Sequence, residues 1–79
     1  MKRKILIVED NVGLSQMQKD WLSQAGYDAV TAMNETIARS LIRRTQFDLI
    51  LSDVRLPEGD GISLLEWLRK ERKDIPFIL

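Results

Sequence analysis

The 79 residues carry 12 Lys+Arg and 12 Asp+Glu, so the formal net charge is zero, and they include neither His nor Cys. The length allows one small domain, expected over residues 1–79. The balanced charge argues against direct nucleic-acid binding, and the missing residue types exclude disulfides, thiolate metal sites and Ser-His-Asp triads on this chain. No apolar run reaches the roughly 18 residues of a membrane span, so we expect a cytoplasmic protein with no membrane contact.

The apolar pattern of the first half predicts strand, helix, strand. Residues 5–8 form a continuous apolar run, which is typical of a strand buried on both faces. A short second strand is expected at 27–31. Between them a helix is expected, capped by Asn11 and ended by Gly26. Its apolar stripe has three- and four-residue spacing and comprises Leu14, Met17, Trp21, Leu22 and Ala25.

The second half continues the alternation. Asn34 is expected to cap a second helix with apolar positions Ile37, Ala38, Leu41 and Ile42. A third strand at 47–51 ends in Ser52-Asp53, and Pro57 and Gly61 are expected to shape a tight loop after it. The third helix carries Ile62, Leu65, Trp67 and Leu68, and 75–79 begins a fourth strand. Both Trp side chains, at 21 and 67, are expected to be half-buried packing residues. With right-handed crossovers, this order predicts a parallel α/β sheet with helices on both faces.

Carboxylates follow two of the predicted strands. Glu9 and Asp10 end the first strand, and Asp53 ends the third. If these strands are neighbours, the three carboxylates meet at the carboxyl edge of the sheet, where such folds bind ligands. Two like charges at about 4 Å repel by roughly 4 kcal/mol at an effective dielectric of 20, and a hard cation such as Mg²⁺ relieves this. An Asp after a strand is also a common turn or cap residue, so the pattern alone leaves both interpretations open.

Two segments resemble the receiver domain of bacterial two-component response regulators. They are ILIVEDN at 5–11 and LILSDVRLPEGDG at 49–61. The acidic pair, the Asp ending the third strand and the Leu-Pro-x-x-Asp-Gly loop all match, and the resemblance covers the whole chain. It implies a flavodoxin-like (CheY-like) fold with strand order 2-1-3-4-5, in which the first and third strands are neighbours.

The resemblance also implies the function and the site. Asp53 would be the phosphoacceptor, taking a phosphoryl group from a phosphohistidine of a sensor histidine kinase or phosphotransfer protein. Asp10 and Asp53 would bind Mg²⁺, with Glu9 acting through a bound water and Arg55 through its backbone carbonyl. The chain would not be an enzyme beyond Mg²⁺-dependent self-phosphorylation and dephosphorylation. The absence of His from this chain is consistent with a phosphohistidine donor that belongs to the partner protein.

The chain departs from the family after the fourth strand. Receiver domains have five strands and five helices, with a switch Ser/Thr ending the fourth strand and a Lys ending the fifth, and this sequence lacks both positions. We therefore expect an incomplete receiver, a fragment or truncated product whose exposed fourth strand pairs with another copy. One alternative is an interaction module without phosphotransfer. Another is a phosphohydrolase with an Asp nucleophile, but such enzymes commonly carry a second Asp two residues on, where this chain has Arg55.

Overall fold

The alternation of strands and helices predicted from the sequence is confirmed. The structure is a computed structural model that describes residues 2–53, 55–56, 59–71 and 73–79. Its elements are β1 Lys4–Val8, α1 Val12–Gln24, β2 Asp28–Ala32, α2 Glu35–Arg44, β3 Leu49–Ser52, β4 Arg55–Leu56, β5 Gly59–Asp60, α3 Gly61–Lys70 and β6 Phe77–Ile78. The expected loop after β3 instead forms a short antiparallel ribbon of β4 and β5. The predicted fourth strand of the main sheet is β6.

The main sheet has four parallel strands in the order β2-β1-β3-β6. This order makes β1 and β3 neighbours, with Val8 of β1 opposite Ser52 of β3. Because both strands run in the same direction, the residues that follow them reach the same edge of the sheet.

Side-chain caps fix where the helices begin. The Asn11 Oδ1 accepts a 2.9 Å hydrogen bond from the Leu14 amide, and the Asn34 Oδ1 accepts one of 2.8 Å from the Ile37 amide. Both caps satisfy backbone donors that the first helical turn leaves free, as predicted from the sequence. Gly26 follows α1 with φ of 95°, a left-handed conformation that favours glycine at a helix end. The ends of α1 and the start of α2 are therefore set by local sequence.

The two faces of the sheet are covered unequally. Alternate residues of β1 point to opposite faces. Helices α2 and α3 pack on one face, whose buried cluster comprises Leu6, Val8, Ala32, Ala38, Ile42, Phe47, Ile50, Leu56, Leu64 and Leu68. Helix α1 lies on the other face, whose buried cluster comprises Ile5, Ile7 and Ala29. Across the described residues, no helix combines the length and the apolar character required to cross a membrane.

Two predictions about packing need correction. The apolar stripe of α1 is largely exposed, and Trp21 is 63% exposed rather than half-buried. The reason is that only part of the α1 surface faces the sheet, where Ser15 is buried and Leu22 packs against the cluster. On α3, the fully buried positions are Leu64 and Leu68, and Leu64 was not among the apolar positions predicted for this helix. Trp67 is partly buried against the core, as predicted.

Candidate functional site

The ends of β1 and β3 bring the predicted carboxylates together. The Asp53 amide donates a 3.0 Å hydrogen bond to the Val8 carbonyl, which continues the pairing of the two strands past Ser52. On the other side of β1, the Glu9 amide donates a 2.9 Å bond to the Ala32 carbonyl. Glu9 and Asp53 are thus held by sheet hydrogen bonds at the carboxyl edge.

Three carboxylates form one cluster at this edge. One carboxylate oxygen from each of Glu9, Asp10 and Asp53 lies within 4.8 Å of the other two. Glu9 is buried, whereas Asp10 and Asp53 are exposed. The structure therefore juxtaposes all three side chains that were singled out from the sequence, with the least accessible one beneath the other two.

The environment of Glu9 disfavours its charged form. Burial raises its pKa above the ordinary value of 4.5, and a side-chain hydrogen bond with Asp10 and the charges of Asp53 and Asp10 raise it further. The Asn11 amide opposes this by donating a 3.1 Å hydrogen bond to the Glu9 carboxylate. A carboxyl that is buried beside two others is stabilised in its charged form by a nearby cation.

The β4–β5 ribbon and the start of α3 complete the surroundings of Asp53. Arg55 opens β4 two residues after Asp53 and is opposite Asp60 in the ribbon. The ligand role of its carbonyl stays a prediction, and Pro57 lies outside the described residues. At Gly61, an added Cβ would lie 2.5 Å from the Asp53 carbonyl oxygen and 3.0 Å from the Ser52 Oγ. A side chain at position 61 would displace the backbone that carries Asp53, so this close approach requires glycine.

A cleft opens beside the cluster. Its volume is about 280 Å³, and its polar lining comes from Glu9, Ser52, Asp53 and Gln18. Ile78 and Leu79 contribute apolar lining. The Ser52 hydroxyl is turned toward the backbone, where it donates a 2.9 Å hydrogen bond to the Asp53 carbonyl. Gln18 was not predicted from the sequence, because a single Gln on a helix carries no pattern that would point to a site.

The donor set fits a hard divalent cation. All three side chains offer carboxylate oxygens, and two of the three are accessible to solvent. Mg²⁺ prefers oxygen ligands, commonly binds through one or two carboxylates and retains several waters. Zinc sites instead draw largely on Cys and His, which this chain lacks. The residues present therefore suit Mg²⁺.

Comparison with known proteins identifies the family. Residues 5–79 match the model of the response regulator receiver domain. The chain is 35% identical over 80 residues to the polar-differentiation response regulator DivK of Brucella anthropi. Among solved structures, it is 42% identical to the non-phosphorylated HemR receiver domain of Leptospira biflexa, with a TM-score of 0.89. It is 30% identical to the Thermotoga maritima response regulator TrrA in complex with Mg²⁺-BeF, with a TM-score of 0.92. The chain belongs to the response regulator receiver domain family and has its CheY-like α/β fold.

The chain is shorter than these relatives. The matched regions cover 99%, 96% and 98% of this chain, respectively. They cover 65% of DivK, 61% of the HemR receiver domain and 67% of TrrA. The similarity to each relative therefore extends over nearly all of this chain and about two thirds of the other protein.

Proposed function

We propose that this chain accepts a phosphoryl group on Asp53, in a Mg²⁺-dependent transfer from a phosphohistidine of a histidine kinase or phosphotransfer protein. The observation that carries the proposal is the cluster of Glu9, Asp10 and Asp53, in which Asp53 is exposed beside an open cleft. Membership of the receiver family supports this interpretation of the cluster. We also propose a cytoplasmic location, which membership of the receiver family favours.

The phosphoryl transfer requires little from this chain beyond a nucleophile in a fixed position. A carboxylate oxygen of Asp53 attacks the phosphorus as the phosphorus–nitrogen bond of the phosphohistidine breaks, and the bonding electron pair stays on the imidazole. No base is needed, because an ionised carboxylate has no proton to lose. The backbone hydrogen bond to Val8 and the close approach of Gly61 fix the backbone of Asp53, which would help to hold its side chain for in-line attack.

A cation would serve this transfer by neutralising charge. Mg²⁺ would be held by Asp10, Asp53 and the Arg55 carbonyl, with Glu9 acting through water, and when bound it supplies positive charge next to the phosphoryl oxygens. The related TrrA forms a complex with Mg²⁺-BeF, which supports the choice of cation. Without a cation, the Asp53 carboxylate and its two acidic neighbours would repel an incoming phosphoryl group.

We further propose that the chain is not an enzyme acting on an external substrate. Arg55 occupies the position two residues after the nucleophile where a phosphohydrolase commonly has its general acid/base Asp. A guanidinium stays protonated at all ordinary pH values and cannot take that role. Self-phosphorylation and slow loss of the phosphoryl group are the expected chemistry.

The proposal is tested with a small acyl phosphate and Mg²⁺, followed by intact mass measurement. We expect one phosphoryl adduct that requires Mg²⁺ and is abolished in Asp53→Asn. Asp28→Asn is the matched control, because Asp28 is an exposed Asp at the amino end of β2, away from the cluster. No adduct on the wild-type chain would favour an interaction module without phosphotransfer. Continuous phosphate release would favour the phosphohydrolase.

We also propose that β6 pairs with a second copy of the chain. Within the described residues, β6 is hydrogen-bonded to β3 only, and Ile78 and Leu79 are 55% and 52% exposed. An unpaired apolar edge strand is a template for another strand. Light scattering should give a dimeric mass that Ile78→Lys converts to a monomeric one, since Lys on an edge opposes pairing. A monomeric wild-type mass would refute this pairing.

A further inference from the structure

Glu35 is a buried carboxylate that no sequence pattern indicated. It is 6% exposed and lies in the first turn of α2, directly after Asn34, the N-cap of this helix. Buried carboxylates are rare unless they are paired, because removing the charge from water is costly. Its partner is Arg39, one helical turn on, whose NH2 group donates a 3.0 Å hydrogen bond to the Glu35 carboxylate.

The Glu35 side chain occupies the space beside Gly59 of the β4–β5 ribbon. A Cβ added to Gly59 would lie 3.0 Å from the Glu35 Cδ and still closer to its Oε2. Gly59 also has φ of 115°, which favours glycine. The carboxylate thus packs directly on the backbone of β5, in the volume that a side chain at position 59 would otherwise need.

Arg39 is itself held from a second side. Its guanidinium carbon lies 5.2 Å from the centroid of the Trp67 ring on α3, within the range of a cation–π contact. Among the described residues, its Nε is buried with no hydrogen-bond acceptor, which fits a guanidinium stacked against an aromatic ring. Arg43 lies 5.3 Å from the centroid of the same ring and belongs to the same helix. Glu35, Arg39 and Trp67 therefore link α2, α3 and the ribbon in one chain of contacts.

We propose that Glu35 is a positioning residue for the Mg²⁺ site. Through Gly59 it holds the ribbon in place, and the ribbon carries Arg55, whose carbonyl is the proposed metal ligand, and leads directly into Gly61. Gly61 in turn abuts the backbone of Asp53. The inference rests on the proposed function, because it concerns the same cation site.

Both the volume and the charge of Glu35 contribute to this role. Truncation to Ala would remove the packing on Gly59 and leave Arg39 without its carboxylate. Replacement by Gln keeps the volume but loses the ion pair with Arg39, so that the side chain is no longer held against the ribbon by an opposite charge. We therefore expect the Gln variant to be intermediate.

The experiment compares Glu35→Ala and Glu35→Gln with Arg43→Gln. The control removes a guanidinium from the same Trp67 ring without touching the Glu35–Arg39 pair. Isothermal titration calorimetry gives the Kd for Mg²⁺, and amide hydrogen exchange of β4 and β5 is measured without metal. We expect the Kd to rise about tenfold in the Ala variant, as for other residues that orient metal ligands, and to rise less in the Gln variant. Ribbon exchange should accelerate in both, and Arg43→Gln should leave both readouts unchanged.

The outcomes separate the inference from the proposed function. If the wild-type chain binds Mg²⁺ and Glu35→Gln binds it equally well with unchanged ribbon exchange, the inference is overturned and the proposed function stands. The inference is also overturned if Arg43→Gln weakens binding as much as Glu35→Gln does, because a general loss of packing would then explain both. If the Ala variant fails to fold, the Gln variant alone provides the test. A wild-type chain that binds no Mg²⁺ overturns the proposed function and this inference with it.

Discussion

The two faces of the same sheet differ in how fully they are packed. Among the residues that the structure describes, ten form a buried cluster on the face covered by α2 and α3, whereas three do so on the face covered by α1. Leu64 of α3 is 0% exposed, whereas Leu14 of α1 is 37% exposed. Leu14 was among the apolar positions predicted for α1, whereas Leu64 was not among those predicted for α3, and Ile62, which was, is 50% exposed. Apolar spacing therefore does not by itself predict which positions of a helix a neighbour covers.

The site lies where these two faces meet. Glu9 and Asp53 follow the central strands β1 and β3. The side chains of these strands alternate between the face packed by α2 and α3 (the packed face) and the less fully covered face of α1 (the open face). From the packed side, Gly61 abuts the Asp53 backbone, and from the open side Gln18 of α1 lines the cleft. The packed face therefore orients the site, while the open face gives access to it.

The largest expected effect is on the free energy of unfolding, when the same Leu→Ala substitution is made on each face of the sheet. Leu64→Ala should lower the free energy of unfolding by about 3 kcal/mol, because it empties a fully buried position. Leu14→Ala should lower it by about 1 kcal/mol or less, since Leu14 is partly exposed and little cavity forms. Urea denaturation measures both values. Equal losses at low protein concentration would show that the faces are equally packed, and a loss for Leu14→Ala that grows with concentration would indicate that a second copy covers the open face.

Mg²⁺ should stabilise the whole sheet from its carboxyl edge. At a free concentration one hundred times its Kd, binding to the folded state alone raises the free energy of unfolding by about 2.7 kcal/mol. Asp10→Asn should remove most of this gain, because Asp10 belongs to the carboxylate cluster. Asp28→Asn should retain the gain in stability, because Asp28 lies at the amino end of β2, away from the carboxylate cluster. Denaturation with and without Mg²⁺ measures the gain, and an equal gain in both variants would mean that the cation binds elsewhere.

The smallest expected effect concerns the pH dependence of the metal-free chain. Because burial raises the pKa of Glu9 above 4.5, the folded state favours the protonated carboxyl. The stability due to this proton is fully present below the unfolded pKa and is lost as the pH rises through the folded pKa. Glu9→Gln stays neutral, so its stability relative to wild type should increase from pH 4.5 toward neutral pH. Denaturation across this range measures the difference, and a difference that is constant with pH would refute the raised pKa.

Much of the fold could be predicted because its signals are local. The caps Asn11 and Asn34 satisfy backbone donors within their own turns, and Gly26 adopts a conformation that disfavours other residues. The continuous apolar run at 5–8 is the buried central strand β1. The exposure of Trp21 could not be predicted in the same way, because it depends on what packs against α1 in space.

In the candidate site, too, residues with local signals could be predicted, and a residue that depends on long-range contacts could not. The carboxylates of Glu9, Asp10 and Asp53 could be predicted to converge, because strand polarity alone brings them to one edge. Glu35 could not, because its burial depends on the long-range contact with Gly59 and on the Arg39 guanidinium. In the sequence, an acidic residue in the first turn of a helix is explained well enough by the helix dipole.

The most direct test of the proposed function locates the phosphoryl group itself. The chain is treated with an acyl phosphate and Mg²⁺, reduced with borohydride, which converts an aspartyl phosphate to homoserine, and sequenced by tandem mass spectrometry. We predict homoserine at position 53 and at no other Asp, and none when Mg²⁺ is omitted. Homoserine at position 10, or an equal yield without Mg²⁺, would contradict the assignment of Asp53 as the phosphoacceptor in a Mg²⁺-dependent transfer.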